Sequence, residues 1–229
     1  MKWLNSPKKK LILIFASIFA ISALFFSYIN INKHNESYEL IKNYSKIGER
    51  YNALWALTLT HIFYQAGGVN SLNDFFLLRK DDHNITTLQS LLNKDPIWMK
   101  QCLNDKKLPI RIRTSLISLK TEIDSIDVRD EDVYNIWKVY KQLYIEEVDS
   151  LMNLLSKNVN PIERDSSIIA KESRISRDSF DRIILKKYGR VYLSEKDDIK
   201  EMSSVIKESF EILTGKKFPK DIDAIKTLK

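Results

Sequence analysis

Residues 133–155 read VYNIWKVYKQLYIEEVDSLMNLL. Val133, Trp137, Tyr140, Tyr144, Val148, Leu151 and Leu155 recur at steps of 4, 3, 4, 4, 3 and 4. That is the period of an α-helix with one apolar face, and it predicts a helix from Asp130 to about Lys157, with Asn158 and Pro161 as stops. A stripe of this length has to be buried against other helices, so the fold is expected to be all-α.

The flanking sequence repeats the pattern. Leu40, Tyr44, Ile47, Tyr51, Leu54 and Ile62 form a second stripe, on a helix expected to end at about Ala66 before Gly67-Gly68. Asn84 is a candidate cap for the segment ITTLQSLL, and Asp95-Pro96 offers a cap acceptor followed by Pro in the first turn. Pro109 can open a helix reaching about Ile126, with Ile112, Leu116 and Leu119 on one face. Near the C-terminus, Ser194 to Asp197 resembles a capping box. It leads a stripe of Ile199, Met202, Ile206, Phe210 and Leu213 that Gly215 closes. Residues 163–188 read as a further helix with a basic end. Alternating β patterns are nearly absent, there is no fixed-period repeat, and antiparallel helices joined by short turns are the expected arrangement.

The segment LILIFASIFAISALFFSYI, Leu11 to Ile29, is uncharged over 19 residues. At about 1.5 Å per residue, a helix of that length covers nearly the thickness of a bilayer core. Lys2, Lys8, Lys9 and Lys10 precede it without an acid, whereas Lys33, Glu36, Glu39 and Lys42 follow it. The positive-inside rule then puts the N-terminus in the cytoplasm and the bulk outside, in the periplasm of a Gram-negative cell. A cleaved signal peptide is the competing reading, but the run exceeds the usual apolar core and ends poorly for cleavage. The expected organisation is a basic tail (1–10), a transmembrane signal anchor (11–29), a juxtamembrane segment (30–37) and an extracytoplasmic helical domain (38–229).

Composition narrows the function. Of the 229 residues, 44% are hydrophobic and 29% charged, too apolar for a disordered chain. Five scattered Gly leave no phosphate-binding or dinucleotide-binding loop, and a single Cys leaves no CxxC centre or Cys-rich zinc site. The net charge is +7, but the four Lys of residues 1–32 carry more than half of it, so a nucleic-acid partner is not expected. His34, His61 and His83 have no metal-ligand spacing. No catalytic, cofactor-binding or metal-binding residue is therefore assigned, and no cofactor is expected.

Three features remain as candidates. Glu146, Glu147 and Asp149 form an acidic group that reads as a solvated helix face. Cys102 reads as a core residue, with an interchain disulfide as the alternative. Lys171, Arg174, Arg177, Arg182, Lys186, Lys187 and Arg190 give the stretch 171–190 a net charge of +4, a candidate basic interaction surface for anionic lipid, cell-wall polymer or an acidic partner. The expected function is a membrane-anchored, non-catalytic module that binds a partner and senses or modulates an envelope process. Its partners are membrane lipid through the N-terminal helix and either another protein or a second copy of itself. The alternatives are an anchored cell-envelope hydrolase and a membrane-active exclusion factor of a phage or mobile element.

Overall fold

The structure, a computed structural model, describes residues 7–129, 131–156 and 195–220, without the side chains of 7–18, 34, 37, 132, 133, 136, 195–199, 201 and 202. Helix α1 spans Pro7–Leu78, α2 His83–Lys94, α3 Pro96–Leu103, α4 Leu108–Ser125, α5 Glu131–Ser156 and α6 Glu195–Thr214. No strand occurs among the described residues.

Helix α1 continues through residues 30–37, and its dihedral angles leave the helical range only at Gly67 and Gly68. Gly68 has φ +64° and ψ −146°, a combination that essentially only glycine adopts. The consequence is a chain reversal. Along a straight helix Phe63 and Phe75 would stand about 18 Å apart, and Trp55 and Phe75 about 30 Å. Instead, their ring centroids lie 4.5 Å and 6.3 Å apart. The short arm, residues 69–78, therefore folds back along the long arm, burying Leu72, Phe75 and Phe76. The Arg79 guanidinium ends the return, 5.1 Å over the Trp55 ring.

Cross-helix contacts fix the directions of the other helices. Arg113 donates to Ser156, Lys120 pairs with Asp149 and Lys141 pairs with Asp124, so α4 and α5 are antiparallel. Tyr44 packs edge-on against Trp137 and Tyr140, and Tyr51 donates to Glu147, so α5 runs parallel to α1. Glu208 meets Arg50 while the carbonyls of Ile212 and Leu213 meet Arg111, near the start of α4. Helix α6 therefore also runs with α1. The expected antiparallel arrangement holds for α4 against its three neighbours, whereas α1, α5 and α6 are mutually parallel. The reason lies in the connection from α1 to α4: the short arm, α2 and α3 return the chain to the far end of α1, where Gln65 donates to the Leu103 carbonyl (3.0 Å).

The stripes bury as their periods require. Leu40, Tyr44, Ile47, Tyr51 and Leu54 of α1 are buried, as are Ile112, Leu116 and Leu119 of α4, and Trp137, Tyr144, Val148 and Leu151 of α5. Two local readings change. The cap of α2 is Asp82, whose carboxylate accepts the Ile85 N–H at 3.0 Å, not Asn84. Glu147 is buried rather than solvated and accepts the Tyr51 hydroxyl, because it follows Tyr144 by three residues on the inward face. Asp95 caps α3 through the Trp98 N–H (2.9 Å), as the sequence suggests. At the end of α6, Gly215 takes φ +69°, and a Cβ there would stand 3.0 Å from the Arg111 guanidinium that holds the last carbonyls.

Toward its N-terminus α1 leaves this packing. Phe19, Leu24, Phe25 and Phe26 are 62–77% exposed, and Ile21, Tyr28 and Ile31 are exposed with them. At about 100° per residue these side chains occupy the whole circumference of the helix. Among the described residues no helix is long and apolar enough to cross a membrane. Residues 11–18 of the apolar run have side chains outside the described set, and the spanning reading of 11–29 rests on the sequence.

Candidate functional site

The site is built where α1, α2 and α6 fail to close on one another. On α1, Ala53 and Ala56 present only methyl groups between larger core residues, and this leaves a cavity of about 340 Å³. That volume lies in the range of small-molecule pockets. One face of α2 lines it along the helix: His83, Asn84, Thr87, Leu88, Leu91 and Lys94. From His83 to Lys94 the rise is about 16 Å, so the cavity is a channel running the length of α2. Val205, Ile206, Ser209, Phe210 and Leu213 of α6 form the opposite wall.

One end of the channel is aromatic. Trp98 of α3 stacks with Phe210 at 6.5 Å between centroids, and Phe218 meets Phe210 edge-on at 5.3 Å. Phe218 is held by its backbone N–H, which donates to the Glu211 carboxylate at 3.1 Å. The walls are mostly apolar. The polar lining residues are Glu49, His83, Asn84, Thr87, Lys94 and Ser209.

The spacing of α1 and α6 beside the channel is set by Arg50. Its Nε and Nη2 donate to the two oxygens of Glu208 at 2.8 and 2.7 Å, and Nη1 pairs with Glu122 of α4. Lys46 shares Glu122 at 2.8 Å. Burial disfavours the Arg50 charge, but the hydrogen bond and charge of Glu208, then those of Glu122, outweigh it and raise the pKa further. Arg50 is thus a permanently charged bolt through three helices, and its two-pronged contact with Glu208 fixes orientation as well as distance. Glu208 precedes Ser209 of the channel wall by one residue.

Of the described residues singled out from sequence, His83 lies at the channel, whereas Cys102 and His61 do not line it. Cys102 lies on α3, buried in the core, and burial pushes its thiol pKa up. A disulfide to a second chain through Cys102 requires α3 to move off the core. Lys171, Arg174, Arg177, Arg182, Lys186, Lys187 and Arg190 lie outside the described residues. His61 is half-buried on α1, its pKa lowered by burial against a smaller opposing hydrogen bond with the Leu103 backbone. His83 opens α2 and lines the channel. Among the described residues no group of three His, Cys, Asp or Glu is placed to hold a metal ion.

The channel itself escapes sequence reading, since its walls come from 49–57, 83–98 and 205–219. The local trace in the sequence is the pair Ala53 and Ala56, three residues apart beside Leu54, Trp55 and Leu57. In comparisons with known proteins, no family model, curated sequence or solved structure matches this chain.

Proposed function

We propose that the chain is a single-pass membrane protein, anchored by residues 11–29 with its helical domain outside the cytoplasm. In this reading the domain binds a ligand or partner and thereby senses or modulates an envelope process, without catalysing a reaction. The observation that carries it is the continuity of α1. The helix that bears the apolar run also supplies Ala53 and Ala56 of the channel floor. Ile29 and Ala53 are separated by about 36 Å of helix rise. Occupancy of the channel, which α6 and α2 line as well, therefore acts on an element that reaches the membrane. The apolar residues exposed all round α1 between Phe19 and Ile31 support the anchor, because that surface needs lipid or protein cover.

The test is chemical crosslinking of the full-length protein in its native membrane, followed by affinity capture, with Cys102→Ser as control. The binding-module reading expects a reproducible envelope partner that persists in Cys102→Ser. Capture of no partner from a well-expressed, membrane-localised sample would contradict it. A self-crosslink that disappears in Cys102→Ser would replace it with a covalent dimer.

A further inference from the structure

We infer that the channel between α2 and α6 takes a single-chain anionic amphiphile, of the chemical class of a long-chain fatty acid. The inference rests on the binding-module reading and gives its ligand. Shape is the first observation. The cavity extends about 16 Å along α2, from His83 to Lys94, and an elongated apolar channel suits one extended hydrocarbon chain rather than a compact ligand. Its floor is the methyl groups of Ala53 and Ala56, and its sides are mostly aliphatic and aromatic, with Thr87 and Ser209 among the polar lining residues.

Charge is the second. Lys94 lines the channel, and Phe218 and Pro219, which also line it, lie between Lys217 and Lys220. Lys216 adds a fourth ammonium group to this segment, and Lys216, Lys217 and Lys220 are all exposed. Among the described residues none of these four lysines makes an ion pair. Two acids stand near this segment, Asp95 at the cap of α3 and Glu211 accepting the Phe218 N–H, and both keep their charge against the four lysines. Among the described residues the aromatic end of the channel therefore carries an excess of positive charge, with Lys94 in the lining itself, beside an apolar wall, the complement of an anionic head on an apolar chain. Glu49 lines the channel from α1, and its charge disfavours an anionic head beside it, which leaves the lysine end for the head.

The test uses the full-length protein in nanodiscs of neutral phosphatidylcholine. The probes are a diazirine-bearing hexadecanoic acid and the corresponding alcohol, with photo-adducts mapped by peptide mass spectrometry. The acid is expected to label residues 83–98 and 205–219 about fivefold more than the alcohol, the ratio one exposed ion pair supplies. Ala56→Trp, which fills the floor, is expected to abolish these adducts while leaving those on residues 19–31. The combined Lys94→Glu, Lys217→Glu and Lys220→Glu variant alters exposed positions only, and is expected to bring acid labelling down to the level of the alcohol. Should Ala56→Trp fail to fold, this second variant carries the test. Equal labelling by acid and alcohol overturns the anionic head, and labelling confined to residues 19–31 overturns the channel as the binding site. Channel adducts without any on residues 19–31 would instead count against the membrane anchor and leave the ligand assignment standing.

Discussion

Arg50 stands where α1, α4 and α6 meet, and its guanidinium answers carboxylates from two other helices. Replacing it with Met keeps most of the apolar stem and removes the charge. Glu122 keeps Lys46 as a partner, but Glu208 loses both of its short hydrogen bonds to Arg50. Because both acids are partly exposed, the expected loss is about 1–3 kcal/mol rather than that of a fully buried pair. Urea unfolding of the full chain in detergent measures it, and a loss below about 0.5 kcal/mol would show that Arg50 does not hold α6 in place. His61 bears on pH. Its pKa is lowered by burial, so in this region the unfolded chain binds more protons than the folded one. The contribution of His61 is complete above the ordinary histidine value of about 6.5 and is lost as pH falls from there toward the lowered value. Stability of the wild type should therefore decline between neutral pH and pH 5, and His61→Gln should flatten that decline. An unchanged slope in the variant would assign the decline to other groups.

At the scale of elements, the helices were legible wherever one apolar face persists for several turns. The α5 stripe, for instance, anticipates the helix that fills the whole described range Glu131–Ser156. Short elements were harder, because neighbouring polar residues compete for one role. Asn84 and Asp82 both suit a cap, but only Asp82 stands three residues before an N–H that needs an acceptor at Ile85. Asp82→Ala should cost about 1 kcal/mol by thermal or urea unfolding, and Asn84→Ala less than about 0.5 kcal/mol. The reverse order would restore Asn84 as the cap. Glu147 was misread for a related reason: an acidic run suggests solvent, yet helical spacing from Tyr144 carries this one member inward while Glu146 stays exposed. The Gly67-Gly68 pair was legible as a stop, but not as a reversal that lays Phe75 beside Phe63. Gly68→Ala forces an L side chain into φ +64°, ψ −146°, and should destabilise the fold by about 1–3 kcal/mol. Hydrogen exchange should then show faster opening of residues 69–78. Wild-type protection there in the variant would mean that the reversal does not depend on this glycine.

For the whole molecule, periodicity shows which face of each helix is buried but not which faces meet. All-α architecture was therefore readable, whereas the parallel run of α1, α5 and α6 was not. The channel was hidden for the same reason, since three distant segments build it and its local trace is two alanines. What joins the scales is α1, which leads from the uncharged run at its start, past the Arg50 bolt, to the channel floor. The proposed function depends on that run lying in a membrane with the domain on the outer side. The most direct test puts a C-terminal epitope on the full-length chain in its native cell. Alkaline carbonate extraction then measures membrane retention, and protease added to intact spheroplasts measures sidedness. The expected result is a chain that stays with the membrane and loses its epitope to external protease. Release by carbonate, or an epitope protected until the cells are lysed, would contradict it.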